Sequence, residues 1–293
     1  MELQPLKPFS ISPYRVSTIT LTGSINTCVD LANLFDAIII DENEHRTLRY
    51  VEYGLSKSDA DSKGVAVKKM KRTANKPKKR FDNQMTLHFV CDDVKYNVKL
   101  FKNGNVQMTG VKNISSGTAI IDELIAIVKF YHNRPYSVVD DSSRLKNCKT
   151  TVCLMNCDFK IHFNIDRMAL HKVLVMNGLA CTYEPCIYQG VKLSYFMSDR
   201  SSNGVCSCTP KCIGKGSKTY CERVTVAFFQ SGSVTINGAR NSKQLDELYE
   251  FVKRTITKHS EHIQQKFYKP AAVSSNSMWN IISGITFKKR KFA

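Results

Sequence analysis

The stretch "LFKNGNVQMTG" (100–110) returns as "FFQSGSVTING" (228–238), and this repetition constrains the fold more than any other feature of the 293 residues. Gly104 matches Gly232, Val106 matches Val234 and Gly110 matches Gly238. In each copy a strand meets a glycine turn and returns as a second strand, the pattern of a β-hairpin. An amphipathic helix pattern follows each hairpin. "SSGTAIIDELIAIVKFY" spaces Ile120, Leu124, Ile127, Val128 and Tyr131 helically behind a serine cap, and "NSKQLDELYEFVKRTI" does so with Leu245, Leu248, Val252 and Ile256. Both contain "DEL". A repeat of this length marks a duplicated structural unit.

The copies also open alike. "YRVSTITLTG" (14–23) and "TVCLMNCDFKIHF" (151–163) read as strands, each leading to a short helix near 28–39 and 166–177. Each half therefore reads strand, helix, several antiparallel strands, longer helix, which gives an α+β fold with helices on one sheet face. The repeats are expected over 14–140, with a basic insertion near 55–77, and over 141–262, with a Cys-rich insertion near 196–221. Residues 1–13 form an N-terminal extension and 263–293 a basic tail.

The sheet face away from the helices follows from period-two alternation. Val106 and Met108 point one way, Gln107 and Thr109 the other; Val234 and Ile236 likewise oppose Thr235 and Asn237. The outward face thus carries small neutral hydrogen-bonding groups, with Lys95, Lys99 and Arg223 further along. It also carries one unexpected aromatic per copy, Phe101 and Phe229. Neutral donors suit the minor groove of DNA, whose A·T edges are acceptors. An exposed ring suits insertion between base steps. The bland alternative is a solvated face with two loosely packed rings.

Charge points the same way. The chain carries a formal +18, and residues 55 to 80 hold ten Lys/Arg against Asp59 and Asp61, a net +8, while "KKRK" (288–291) adds four more. Such a balance implies a polyanionic partner, nucleic acid or an acidic membrane surface. The membrane reading is weaker because the basic runs lack an interleaved apolar face. No apolar run of about 20 residues and no signal-peptide pattern occurs, so an intracellular protein is expected. Eleven cysteines without such a signal argue against a disulfide framework.

These residues resemble the TATA-box-binding protein family, most closely the divergent versions of large DNA viruses. The family's phenylalanine, glycine hairpin and closing "TGAK" are similar to "FKNGNVQMTGVK" and "FFQSGSVTINGAR". "VEYG" (51–54) with "KPKKRF" (76–81) resembles the stirrup "AEYNPKRF", and "TYEPCIYQG" (182–190) resembles "SYEPELFPG". The resemblance implies a two-repeat saddle, a curved antiparallel sheet with helices on its convex face. It also implies a transcription initiation factor that bends promoter DNA through the minor groove. The TATA-binding protein is itself the standard instance of minor-groove kinking, so that mechanism comes with the resemblance. Carried over residue by residue, the kinking role falls on Phe81, Phe101, Phe229 and Tyr188, the last replacing a phenylalanine. The groove face falls on Tyr14, Val16, Gln107, Thr109, Val152, Leu154, Thr235 and Asn237, and the phosphate contacts include Lys112 and Arg240.

The departures bear on sequence preference. Tyr14 and Val152 stand where the family has its two central asparagines, and Gln107 and Thr235 replace groove valines. The stirrup that meets a transcription factor B-like initiation factor, and through it RNA polymerase, keeps Glu184 but has Cys186 and Ile187 in place of an acidic residue and a leucine. The implied site of action is the nucleus or a viral factory, with packaging in the virion as a further expectation.

The insertion "CSCTPKCIGKGSKTYC" places Cys206, Cys208, Cys212 and Cys221 within sixteen residues, a set able to hold one structural Zn; free thiols are the alternative. Cys148, Cys153 and Cys157 read as core packing. No H-E-x-x-H, P-loop or nucleophile elbow is present, so no enzyme is expected, and Asp140 and Asp141 beside "SS" read as a turn. The rival function is a protein-interaction scaffold of the same fold with only nonspecific nucleic-acid contact.

Overall fold

Alternating Val, Ile, Leu and Thr build most of the described strands, and aspartate or asparagine starts each described α-helix. The computed structural model describes residues 8–41, 47–54, 61–65, 83–197, 201–208 and 221–266. The first half runs β1 (Arg15–Ser24), α1 (Leu31–Ala37), β2 (Leu48–Tyr53), β3 (Ser62–Gly64), β4 (Gln84–Cys91), β5 (Val94–Phe101), β6 (Asn105–Val111) and α2 (Ile114–Tyr131). A 3₁₀ turn at Ser142–Arg144 leads to the second half. This comprises β7 (Cys148–Lys160), α3 (Arg167–Met176), β8 (Ala180–Thr182), β9 (Val191–Met197), the small hairpin β10 (Ser201–Ser202) and β11 (Val205–Cys206), β12 (Glu222–Phe228), β13 (Ser233–Ala239) and α4 (Ser242–Ile263).

Among the described residues eleven strands form one antiparallel sheet in the order β3-β2-β4-β5-β6-β1-β7-β13-β12-β9-β8. Outward from the β1–β7 pair the two sides correspond strand for strand, β6 with β13, β5 with β12, β4 with β9 and β2 with β8, while β3 has no counterpart among the described strands. In each half the first strand lies beside the last, which leads into a long helix. This is the α+β two-repeat saddle expected from the sequence. Asp141 accepts from Ser143 N at 2.9 Å and starts the turn between the halves.

The helix starts repeat as well. Asp30 and Asp166 cap the short helices, and Asn113 and Asn241 cap the long ones, accepting from Ser116 N at 2.8 Å and Gln244 N at 3.0 Å. The cap of α2 is thus Asn113 and not a serine, because the helix begins at Ile114 and its serines fall within the first turn. Each such cap contributes about 1 kcal/mol.

The core lies between the sheet and its helices. In the first half Ile121, Leu124 and Val128 of α2 pack with Leu21, Val98, Leu100 and Met108; in the second, Leu245, Leu248 and Val252 of α4 pack with Leu193, Val226 and Val234. All are fully buried, each worth roughly 1.5–3 kcal/mol. Cys157 belongs to this core, and burial pushes its thiol up to about 12. Cys148 is half-buried, but Cys153 is exposed, contrary to the core role expected of it. Thr20 pairs with Leu154 while Leu21 pairs with Val152, so Cys153 is the extra residue of a bulge.

The two hairpins turn on Gly104 (φ 76°) and Gly232 (φ 80°). A Cβ at Gly104 would lie 2.0 Å from the Thr27 carbonyl oxygen, and one at Gly232 would lie 2.0 Å from that of Ile161. Positive φ alone costs a side chain on the order of 1–3 kcal/mol, and the backbone clash adds to it. Gly104→Ala and Gly232→Ala should each lower the unfolding free energy by at least about 2 kcal/mol in urea. Parental midpoints in both variants would show that neither turn is needed in this form.

Candidate nucleic-acid interface

Cross-strand partners share a sheet face, so the register defines what is displayed on the face that bears none of the described helices, the helix-free face. In the first half one row runs Tyr50–His88–Asn97–Thr109 and the next Glu52–Thr86–Lys99–Gln107–Thr22–Thr151. In the second half they run Ala180–Ser194–Thr225–Asn237–Asn156–Thr18 and Thr182–Lys192–Ala227–Thr235–Asp158–Arg15. Thr18 and Asn156 face each other across the seam between the halves. Most of these groups are small, neutral donors or acceptors.

Several are tied to one another. Thr22 Oγ1 and Thr151 Oγ1 are 3.0 Å apart, and Asn237 Nδ2 donates to Thr235 Oγ1 at 3.0 Å. Asp158 is answered by Arg15, with Nε 3.0 Å from its Oδ2. The Tyr50 and His88 rings stack at 4.8 Å, and Asn97 Nδ2 lies 3.0 Å from His88 Nε2. Burial holds His88 below the ordinary imidazole value, with Glu52 opposing.

Gln107, Thr109, Thr235 and Asn237 stand on this face, and Leu154 joins them opposite Thr20. Three residues assigned to the groove face do not. Tyr14 turns to the helices, where its hydroxyl donates to Asp246 Oδ1 at 2.6 Å and its ring meets Tyr249 edge-on at 5.4 Å. Val16 pairs with buried Cys157 and packs against both core clusters, and Val152 pairs with buried Leu21. Register shifts along β1 and β7 are the cause, since one extra residue moves its neighbours to the other face. Arg15, Thr18, Asn156 and Asp158 take the vacated places. The only sequence trace of these bulges is a three-residue step between core-side positions, Val16 to Ile19 and Val152 to Met155, which does not by itself say which strand register is kept.

Among the cations, Lys95 and Arg223 are exposed and Lys99 is half-buried. Lys112 Nζ donates to the Ser17 carbonyl oxygen, and Arg240 Nη1 pairs with Glu222 Oε1 at 2.8 Å. Phe101 is half-buried at the end of β5, opposite Gln84. Phe229 follows β12 and meets Tyr188 of the β8–β9 loop edge-on, centroids 5.8 Å apart. Phe81, assigned to the other wedge, lies outside the described residues. Glu184, Cys186 and Ile187 are all exposed on the β8–β9 loop, Ile187 at 80%.

Cys206, Cys208 and Cys221 converge beside the β10–β11 hairpin, their sulfurs all within 4.8 Å of one another. Cys221 Sγ is 3.6 Å from each of the other two, too long for a disulfide. Four thiolates about 2.3 Å from one zinc would be ~3.8 Å apart. The cluster can therefore hold a metal ion; Cys212, the fourth expected ligand, lies outside the described residues.

No protein-family model matches the chain. It is similar to a "TATA-box-binding protein-like" protein of Acanthamoeba polyphaga mimivirus, 26% identical over 260 residues that cover 85% of this chain. The chain spans 66% of that relative's length. Among solved structures, Methanococcus jannaschii TBP matches with a TM-score of 0.49 and 16% identity, covering 84% of this chain and 99% of its own. The resemblance to the divergent TATA-box-binding proteins of large DNA viruses is thus supported by a similarity that runs over 85% of this chain.

The inward turn of Tyr14 has a measurable signature. Its hydroxyl is pushed up to about 12, first by the hydrogen bond to Asp246, then by burial and that carboxylate's charge. Tyr195 also reaches about 12, by burial and Glu247. Raised values favour the neutral phenol in the fold. Their stabilisation is complete below the unfolded value near 10 and disappears as pH rises towards 12. Tyr14→Phe should flatten the loss of stability between pH 10 and 12 relative to the parent. An unchanged alkaline profile would put Tyr14 elsewhere.

Proposed function

We propose that this chain is a transcription initiation factor that binds promoter DNA through the minor groove, bends it and recruits the transcription machinery. The observation that supports this most directly is the helix-free sheet face, tiled with small neutral hydrogen-bonding groups and bounded at one end by the Tyr188–Phe229 ring pair. Such groups complement the acceptor-rich edges of A·T pairs, and rings at the margin suit entry between base steps. The likeness to a viral TATA-box-binding protein-like sequence supports the same reading.

In this reading the protein acts by binding and performs no catalysis. Phe81 with Phe101, and Tyr188 with Phe229, open one base step each. Gln107, Thr109, Thr235, Asn237 and Leu154 line the groove, joined by Thr18 and Asn156 at its centre. Lys95, Lys99 and Arg223 meet phosphates, and Lys112 and Arg240 exchange their present partners for them. Repeats bounded at 14–140 and 141–262 place one wedge in each half. The exposed Glu184–Ile187 loop receives a transcription factor B-like initiation factor, which brings RNA polymerase, in the nucleus or a viral factory. Cys206, Cys208 and Cys221, with Cys212, hold one structural zinc that orders the insertion.

Phe101→Ala together with Phe229→Ala should reduce bend angle and specific affinity in parallel, the affinity by at least about tenfold. Folding should survive, because the core side of these strands is Val98, Leu100, Val226 and Phe228. Removing Lys and Arg from 68–80, outside the described residues, should weaken binding to every sequence and flatten its salt dependence without altering the bend. Fluorescence energy transfer across a short duplex reads the first effect, and salt titration the second. A ring-less variant that bends and selects DNA like its parent would favour the scaffold. For the insertion, purified protein should carry about one zinc per chain. Cys206→Ser with Cys221→Ser should release it with the saddle intact, and zinc-free native protein would refute the site.

A further inference from the structure

The loop between β8 and β9 brings Tyr188 to the helix-free face, and two cations grip it. Lys192 Nζ lies 4.0 Å from the centre of the Tyr188 ring, well inside the ~6 Å range over which a ring face attracts a cation. Arg167, the first residue of α3, donates through Nη1 to the Gln189 carbonyl oxygen at 2.7 Å and stands 5.4 Å over the Tyr183 ring. Within the loop, the N–H groups of Ile187 and Tyr188 both donate to the Glu184 carbonyl oxygen, at 2.9 and 2.8 Å. Beneath the rings is Gly190, where a Cβ would lie 2.8 Å from Tyr188 Cε1 and 3.2 Å from Phe229 Cε1. The rings close over a position that only glycine leaves open.

A comparison of the halves shows what is particular here. In the first half the row nearest the wedge pairs Thr86 of β4 with Lys99 of β5. In the second it pairs Lys192 of β9 with Ala227 of β12. The lysine has moved from the inner strand to the strand that leaves the wedge loop, and the small Ala227 stands beside it. From there its ammonium reaches the one wedge ring that is a tyrosine.

We infer that Lys192 and Arg167 are positioning residues that hold Tyr188 against Phe229 as a wedge formed before DNA arrives. The inference rests on these rings being a DNA wedge. A ring entering a base step must otherwise lose rotamer and loop freedom at the moment of binding, which weakens association. Lys192 fixes the ring face, Arg167 fixes the backbone beside it, and Phe229 fixes the edge. Neither cation needs to touch a base.

The variants are Lys192→Met, which keeps the stem without the charge, Lys192→Arg, Arg167→Met and Tyr188→Ala. In DNA-free protein the Lys192 side-chain protons should resonate upfield, shifted by the Tyr188 ring current, and return to ordinary values in Tyr188→Ala. A set of A·T-rich duplexes carrying 2-aminopurine at successive steps then reports the opened step by its fluorescence rise. Lys192→Met and Arg167→Met should each diminish the rise at the step opened by Tyr188 and weaken binding roughly fivefold, while Lys192→Arg keeps both. Unshifted Lys192 protons in the parent would overturn the proposal. So would Lys192→Met that merely lowers the salt slope, the mark of a phosphate contact, with the rise intact. Loss of the rise in Tyr188→Ala, but in neither cation variant, would overturn the positioning role and leave the wedge standing. An unchanged rise in Tyr188→Ala would overturn the wedge and this role together.

Discussion

Everything in the molecule hangs on the antiparallel pairing of β1 with β7. In each half the first strand lies beside the last, and its other side would otherwise expose a row of unpaired backbone donors and acceptors, an edge prone to the wrong partners. Pairing the two first strands closes both edges at once and joins eleven of the described strands into a single sheet. The same ladder sets the spacing of the two hairpin ends, and with it the distance between Phe101 and Phe229. It also brings Thr18 against Asn156 and Arg15 against Asp158 in the middle of the helix-free face.

That seam is where the sequence was least legible. The hairpins, the four α-helices and the duplication could be read because they rest on glycine turns and on regular period-two or period-3.6 patterns, which local chemistry dictates. Gln107, Thr109, Thr235 and Asn237 are legible as open-face residues for the same reason: β6 and β13 alternate without interruption across those positions. The sides taken by Tyr14, Val16 and Val152 are not, because β1 and β7 carry register shifts that their mutual pairing fixes. A residue-by-residue transfer from a family assumes a constant register, and a bulge defeats it. The Tyr50–His88–Asn97 row has no sequence signature for a different reason, since its members lie on three strands and share no local motif.

Aromatic chemistry does different work on the two sides of the sheet. Tyr195 is buried against Phe251 on the helix side, its hydroxyl donating to Glu247 Oε1, where packing and a hydrogen bond satisfy it completely. Tyr188 and Phe229 stay half-buried, held by an edge contact, a lysine and a glycine floor. A half-buried ring with its neighbours fixed keeps apolar surface in water without collapsing onto the sheet, a state the surrounding fold has to maintain.

The two halves share a backbone plan but not a surface. Where one presents the stacked Tyr50 and His88, the other presents Ala180 and Ser194 at the same remove from the seam. The β4–β5 connection is the two-residue turn Asp92–Asp93, whereas β9 reaches β12 by way of a cysteine-bearing hairpin. A duplicated body with unlike ends has a head and a tail. Any long ligand laid across it can be held in two orientations of unequal energy, so the molecule carries an arrow that its near-symmetry would otherwise have erased.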